Sequence, residues 1–200
     1  MAQSLRQQGL EYRQQGRYAE AIAALKQSTE LEPQNLSGRV ILGWTLHLNK
    51  QHEEAVQELQ AALESDPDDV PALNALGIVY LVSGDLPAAV ETHTRATELE
   101  ANNDIAHYNL SLAYHRLQQY DQAIAQGQRS ATLAPNNPHH WVALAIAQWD
   151  RGDQEAAVQA YQQAINLDAR YRTSEFLAHL EQAGFSQEQI QTTEQVRQAI

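Results

Sequence analysis

Residues 70–103 read VPALNALGIVYLVSGDLPAAVETHTRATELEANN, and the other segments of the chain are variations on this sequence. Leu73, Leu76 and Tyr80 recur at i, i+3 and i+7, which is the spacing of one face of an α-helix. Gly84 interrupts the pattern, since glycine can adopt the left-handed conformation that ends a helix. A second run of helical period comes after it. The stretch therefore predicts two helices joined by a tight turn.

A shift of 34 residues superimposes this stretch on most of the chain and gives five units, residues 2–35, 36–69, 70–103, 104–137 and 138–171. Two columns of the alignment hold small residues throughout, as packed helices that approach closely require. These columns are Gly9, Gly43, Gly77, Ser111 and Ala145, and Ala21, Ala55, Ala89, Ala123 and Ala157. The repeated register predicts that the helix pairs stack on one another, each burying its apolar side on its neighbours.

The unit resembles the tetratricopeptide repeat, with its W-x2-L-G-x2-Y opening, later Ala positions and closing Pro. The resemblance covers 170 of the 200 residues. It implies an all-α fold, an α-α superhelix or solenoid of five helix-turn-helix repeats plus a C-terminal capping helix. Arg39 stands at an opening Trp position and Gln148 at a Tyr position. Both departures predict looser packing around these two side chains.

The helical signals continue through residues 172–200, although the repeat period stops. Phe176, Leu177 and Leu180 form an apolar stripe that predicts a capping helix over the exposed end of the fifth unit. Gly184 is suited to end that helix. A further polar helix comes next, introduced by a capping box in which a serine is followed three residues later by a glutamine. The sequence leaves open whether this last helix docks on the repeats or fills their groove.

The composition narrows the classes of function. The net charge is −12, and the second and third units carry −5 and −3 of it. Such an acid excess disfavours binding to nucleic acid and to anionic membranes. The chain has no cysteine, no signal-peptide pattern at its start and no apolar run long enough for direct membrane insertion. We therefore expect a cytoplasmic protein, and the acidic, glutamine-rich composition favours a bacterial source.

The first helices carry a second face in addition to the one that packs between repeats. The resemblance implies that this face lines a concave groove. In units two to five it is rich in apolar and aromatic residues, and such a patch is unusual on a surface that nothing covers. We assign partner binding to Val40, Trp44, His47, Leu48, Asn74, Ile78, Leu81, Tyr108, Asn109, Leu112, His115, Arg116, Val142, Ile146 and Trp149.

These residues suit a protein or peptide segment that is apolar or amphipathic, most simply a helix laid in the groove. The predicted function is that of a non-enzymatic interaction scaffold, as an adaptor or an assembly factor. Four alternatives stay open. In the first the groove serves homodimerisation, and in the second the chain's own last helix covers it. In the third, part of this face packs between neighbouring helices, and in the fourth the chain is the regulatory subunit of a separate enzyme.

Catalytic and metal chemistry find no support in the sequence. None of the eight histidines is paired at the i, i+4 spacing of a helical zinc site. No nucleophile elbow or phosphate-binding loop is present. We expect no cofactor, no metal ion and no enzymatic activity. His47 and His115 are expected to line the groove and to make binding depend on pH between about 6 and 7.

Overall fold

The computed structural model describes all residues, 1–200, as eleven α-helices and two 3-10 segments. The α-helices are α1 (Ala2–Gln14), α2 (Tyr18–Leu31), α3 (Leu36–Leu48), α4 (His52–Ser65), α5 (Val70–Ser83), α6 (Leu86–Leu99), α7 (Asp104–Arg116), α8 (Tyr120–Leu133), α9 (Pro138–Arg151), α10 (Gln154–Leu167) and α11 (Gln187–Gln198). The 3-10 segments are Ala169–Arg172 and Ser174–Ala183. The predicted all-α class is confirmed. None of the helices is both long and apolar enough to cross a bilayer.

The chain divides into two compact units, Met1–Ser83 and Gly84–Ile200. We call them the N-terminal unit, which holds α1 to α5, and the C-terminal unit, which holds α6 to α11. The N-terminal core is built from aliphatic side chains of α2 to α5. Its buried members are Ile22, Leu25, Leu42, Leu46, Ala55, Leu59, Ala75, Leu76 and Val79.

Small residues allow the paired helices to approach closely. A Cβ atom on Gly9 would lie 2.6 Å from Leu25 Cγ, and one on Gly43 would lie 2.6 Å from Leu59 Cγ. No real Cβ comes so close to another heavy atom, so a larger residue would push the two helices apart. Ser111 fills the same position in the fourth repeat, where its hydroxyl donates to the Ala123 carbonyl at 2.8 Å. The predicted small-residue column is therefore required by the helix contacts.

The opening position of the repeat keeps one hydrogen bond although its residue type changes. Three side chains there bond to the carbonyl six residues earlier, at the end of the preceding repeat. These pairs are Arg39 Nε with Pro33 O at 3.2 Å, His107 Nε2 with Ala101 O at 3.2 Å, and Trp141 Nε1 with Pro135 O at 2.9 Å. Arg39 is also ion-paired with Glu58 at 2.9 Å. The predicted looser packing at Arg39 is therefore wrong.

The turns inside the repeats use left-handed backbone, as predicted at Gly84. Gly16, Gly84 and Gly152 have φ of 74°, 94° and 97°. Lys50 and Gln118 stand at the same position and also have positive φ, 62° and 58°. A side chain in this region clashes with its own backbone, which costs about 1–2 kcal/mol relative to right-handed backbone. The N-terminal unit and the C-terminal unit therefore each contain one strained turn with a residue other than glycine.

The end of the C-terminal unit departs from the predicted capping helix. Residues Ser174–Ala183, which we call the 3-10 cap, form a tighter helix than the predicted α-helix. A 3-10 helix eclipses side chains at i and i+3. Phe176 and His179 have this spacing, and their rings stack with centroids 3.9 Å apart. The predicted apolar stripe is nevertheless confirmed, since Leu177 and Leu180 are buried, and Gly184 ends the segment with φ 88°.

Candidate partner-binding faces

In the N-terminal unit, the predicted face of α3 is partly exposed. Val40 and Trp44 are half-buried and pack against the core cluster with one side. The Trp44 ring stacks on His47, with centroids 5.0 Å apart. Leu48, one turn from Trp44, is 37% exposed. The helix thus keeps a row of apolar and aromatic side chains that the core of the unit covers only in part.

The corresponding face of α5 is more varied. Ile78 and Asn74 are half-buried, while Val82 at the end of the helix is 43% exposed. The Oδ1 atom of Asn74 is buried and has no hydrogen-bond partner. Leu81 is completely buried, so its predicted place on an accessible surface is wrong. We call Val40, Trp44, His47, Leu48, Asn74 and Ile78 the exposed face.

His47 does not titrate where the sequence analysis expects. Its Nδ1 lies 3.2 Å from the Nδ1 of His52. Burial, together with repulsion from His52, lowers the pKa of His47 from 6.5 to about 4. The ring is therefore neutral near neutrality, and the expected titration between pH 6 and 7 is wrong for this residue. Its stack on Trp44 adds a neutral, largely apolar surface.

In the C-terminal unit, the predicted face is covered by the end of the chain. The Tyr108 hydroxyl donates to the Ala183 carbonyl at 2.6 Å. The Tyr108 ring stacks on His140 with centroids 4.9 Å apart and meets Phe185 at 6.2 Å. Burial raises the pKa of Tyr108 well above its ordinary value, so its hydroxyl stays protonated as a donor. This residue binds a segment of its own chain.

The same face binds α11 through a polar cluster. The Gln189 side-chain amide donates to the Leu112 carbonyl at 3.1 Å and lies 3.2 Å from His115 Nδ1. On its other side, His115 Nε2 pairs with Asp150 Oδ2 at 2.9 Å. The Thr192 hydroxyl reaches the same carboxylate at 3.3 Å. These bonds tie α11 to both α7 and α9.

The remaining residues assigned to this half of the groove are mostly inaccessible. Asn109 is buried, with its amide donating to the Ile105 carbonyl at 3.0 Å. Leu112, Val142 and Ile146 have no exposed surface. The prediction that they line an accessible groove is therefore wrong for the structure as it stands, because the chain's own end and its neighbouring helices bury them.

Two of the assigned residues lie at the edge of this contact. Trp149 is half-buried, and its indole N–H donates to Gln195 Oε1 of α11 at 3.2 Å. Arg116 is half-buried and interacts electrostatically with Glu188 of α11. We call Tyr108, Leu112, His115, Trp149 and Asp150 the covered face.

A histidine pair joins the 3-10 cap to α9. His139 Nε2 and His179 Nε2 lie 3.3 Å apart, and the Tyr171 hydroxyl lies 3.0 Å from His179 Nε2. Burial, helped by repulsion from His179 and His140, lowers the pKa of His139 from 6.5 to about 4. A neutral His139 therefore belongs to the docked state of the cap.

The sequence analysis missed the side chains of α11 that contact the repeats. The structure confirms the capping box between Ser186 and Gln189. Gln189 uses its Oε1 for the cap and its Nε2 for Leu112 and His115. One signal could have revealed the contact, since Gln189, Thr192 and Gln195 recur at i, i+3 and i+6 on one side of an otherwise polar helix.

Comparison with known sequences decides the family. A family model described as the tetratricopeptide repeat matches residues 6–70 and 74–138, and a second model of that description matches residues 140–171. These matches span well over half of the chain. The chain belongs to the tetratricopeptide repeat family. Repeats of this family form protein-interaction scaffolds, whose stacked helices create extended binding surfaces.

Several relatives are larger than this chain. It is 36% identical over 78 residues to Superkiller complex protein 3 of Homo sapiens, a match that covers 39% of this chain and 5% of the relative. It is 25% identical over 160 residues to BBSome complex member BBS4 of Bos taurus, covering 80% of this chain and 31% of the relative. The chain thus spans a small part of these relatives' length.

Solved structures share the fold across nearly their whole length. A crystal structure of MamA protein has a TM-score of 0.73 at 22% identity and covers 84% of this chain and 92% of its own. The structure of TTC0263, a thermophilic tetratricopeptide repeat protein from Thermus thermophilus, has a TM-score of 0.69 at 19% identity, covering 85% and 93%. At these identities, the likeness concerns the fold alone.

Proposed function

We propose that this chain is a non-enzymatic scaffold that binds an apolar or amphipathic segment of another protein on the exposed face. The observation that carries the proposal is the row of partly exposed apolar side chains on α3, with Trp44 stacked on His47 and Leu48 37% exposed. Val40 and Trp44 pack with one side against the core of this unit, and the side that stays in solvent is available to a ligand. The scaffold acts as an adaptor or an assembly factor.

The charge of the repeats and the names of two relatives also support the proposal that the chain binds another protein. The second and third repeats carry −5 and −3 of the net charge, which favours a partner segment with basic residues beside its apolar ones. Two of the relatives are named as members of protein complexes. A half-buried Trp anchor in an interface contributes about 2 kcal/mol or more when truncated. We therefore expect Trp44 to dominate the affinity.

The test compares two leucines of the N-terminal unit. Leu48→Lys places a charge on the exposed face, whereas Leu31→Lys changes a leucine at the end of α2 that is 51% exposed. Each bait captures proteins from lysate of the source organism, and the binding of the captured partner is then measured with purified components. We expect Leu48→Lys to weaken binding at least tenfold and Leu31→Lys to leave it unchanged. Equal binding by the wild-type chain and both variants would refute the assignment.

The molecular mass in solution distinguishes homodimerisation from binding to another protein. Light scattering over a wide concentration range reports whether the wild-type chain associates with itself. A dimer that Leu48→Lys dissociates would show that the exposed face is an interface between copies of this chain, which contradicts a heterotypic scaffold.

A further inference from the structure

The two parts of the C-terminal end are attached by different chemistry. The 3-10 cap buries Leu177 and Leu180, and the preceding Tyr171 is completely buried, with its carbonyl accepting from the Tyr161 hydroxyl at 2.8 Å. In α11, by contrast, the one fully buried aliphatic side chain is Val196. The cap is thus fixed by apolar burial, and α11 is held mainly by side-chain hydrogen bonds.

The hydrogen bonds of α11 follow a regular pattern. Gln189 bonds to the Leu112 carbonyl, Thr192 to Asp150, and Gln195 to Trp149, at distances of 3.1, 3.3 and 3.2 Å. Their spacing places all three on one side of the helix, with Val196 at i+7 from Gln189. Phe185 precedes the helix and meets Tyr108. The end of the chain therefore presents a pattern of Phe, Gln, Thr and Gln to the covered face, with a buried Val on the same side of the helix.

A short polar helix is a weak cover for such a face. An isolated helix of 12 residues is only marginally stable in water, so α11 depends on its contacts to stay folded. Each exchanged hydrogen bond contributes little net stability, because the separated groups bond to water instead. Gly184 ends the 3-10 cap with φ 88°, so Leu177 and Leu180, which anchor the cap, lie outside α11. Loss of the α11 contacts would leave these anchors in place.

We infer that α11 is an intramolecular ligand of the covered face, and that this face also binds, in competition with α11, a partner's amphipathic helix that presents the same pattern. The matching helix begins with an aromatic residue and a Ser-x-x-Gln box. It then presents a hydroxyl to Asp150 and an aliphatic residue at i+7 from the glutamine. A partner helix with more apolar residues on this side binds more tightly than α11, because the face beneath contains Tyr108 and Leu112, both buried.

Charge adds to the selectivity. Glu188 of α11 interacts with Arg116 in α7, so an acidic residue in the first turn of the partner helix is favoured. This binding site is separate from the exposed face of the N-terminal unit and uses different residues. A failure of the present inference is therefore distinguishable from a failure of the proposed function.

The test uses the full chain and a labelled peptide of residues 184–200, GFSQEQIQTTEQVRQAI. In the wild-type chain, the tethered α11 competes at an effective concentration of about 1 mM, so the peptide binds weakly. Gln189→Ala in the chain removes the bonds to Leu112 and His115 and leaves the buried Leu112 carbonyl without this donor, which weakens the docking of α11. We expect this variant to bind the unmodified peptide at least tenfold more tightly than the wild-type chain does.

Two controls make the comparison specific. Gln191→Ala changes an exposed glutamine of the same helix, and that chain should bind the peptide as the wild-type chain does. A peptide carrying Gln189→Ala should lose binding to the Gln189→Ala chain. Far-ultraviolet circular dichroism and a melting curve establish that the chain variants are folded.

Hydrogen exchange of the wild-type chain provides a readout without any substitution. We expect the amides of α11 to exchange at least tenfold faster than those of α9, and an excess of the peptide to accelerate their exchange further by displacing the helix. Peptide binding that is equally weak in the Gln189→Ala and wild-type chains would overturn the inference. Light scattering that shows the Gln189→Ala chain to be a dimer would also overturn it, since the occupant would then be a second copy.

Discussion

The exposed face of the N-terminal unit and the covered face of the C-terminal unit come from the same positions of the repeat, yet they end in different states. On α3, Trp44 and Leu48 keep part of their surface in solvent. On α7, Tyr108 and Leu112 are buried, and both bond to the end of the chain. A repeat position therefore defines a place in the fold, while its accessibility depends on the segment that comes after the last repeat.

The largest loss of stability is expected for a substitution of Tyr108, which anchors the end of the chain to the covered face. Tyr108→Ala removes a buried ring that stacks on His140 and a hydroxyl that holds the Ala183 carbonyl. Replacing a buried aromatic by alanine lowers the free energy of unfolding by about 3–5 kcal/mol. Chemical denaturation measures this loss, and limited proteolysis reports release of residues 184–200. Trp44→Ala on the exposed face should cost clearly less, and equal losses would contradict the contrast between the faces.

A smaller effect of opposite sign is expected at Asn74. Its Oδ1 is buried without a partner, whereas Asn109 on α7 donates to the Ile105 carbonyl. A buried unsatisfied acceptor costs about 1–3 kcal/mol, and a leucine of similar shape removes that penalty. We expect Asn74→Leu to raise the free energy of unfolding by about 1 kcal/mol. Asn109→Leu should bring no such gain, and denaturant titration of the two variants decides the matter.

Relief of the strained turns should stabilise the N-terminal unit and the C-terminal unit by the same amount. Lys50 and Gln118 have φ of 62° and 58°. Replacing either by glycine relieves the left-handed strain and should stabilise its unit by about 0.5–1 kcal/mol, after the entropy of the added glycine is subtracted. Denaturant titration measures both gains, with Gly152→Ala as the control. A Cβ there meets nothing within 4 Å, so its destabilisation reports backbone strain alone.

The pH dependence of stability is the smallest expected effect. Both units share it, because His47 lies in the N-terminal unit and His139 in the C-terminal unit. His47 and His139 have pKa values lowered to about 4, mainly by burial, so the folded state disfavours their charged form. Their unfolded pKa is 6.5, so stability is constant above that pH and falls as the pH drops toward 4. At about pH 5.5 each fully buried histidine would lower the free energy of unfolding by about 1.4 kcal/mol relative to neutral pH. Because both rings are partly exposed, we expect a loss of about 0.7 kcal/mol per histidine.

Substitution isolates each contribution to this pH dependence. His47→Gln should flatten the stability profile by one histidine, and His139→Gln by another. Denaturation of each variant at about pH 7.5 and about pH 5.5 provides the measurement. A wild-type chain that is equally stable at both values would show that neither ring stays neutral in the folded state.

The sequence predicts the repeated architecture well because its signals are local. The helix period, the small residues such as Gly43, and the left-handed turn at Gly84 depend on neighbours within one or two helices. The docking of α11 is not local. Gln189 meets Leu112 across 77 positions, and nothing in the polar pattern of the helix indicates where it binds. Sequence reasoning therefore leaves open whether the last helix covers the groove, and it does not identify the side chains that make the contact.

Arg39 and His179 show two further limits. An arginine at a Trp position suggests a packing defect, yet its N–H donor reproduces the bond that Trp141 makes to the preceding repeat. The apolar stripe predicts an α-helix around His179, but the stack of this ring on Phe176 uses the tighter 3-10 geometry. In both cases the hydropathy pattern does not indicate the side-chain contact that the structure shows.

The central claim is that one face is available to a ligand and the other is occupied by the chain itself. Hydroxyl-radical footprinting of the wild-type chain measures this directly, because it reports the solvent access of individual aromatic side chains. We expect Trp44 to be modified several times faster than Tyr108, and Gln189→Ala to increase the modification of Trp149 while leaving Trp44 unchanged. Equal rates at Trp44 and Tyr108 in the wild-type chain would contradict the account.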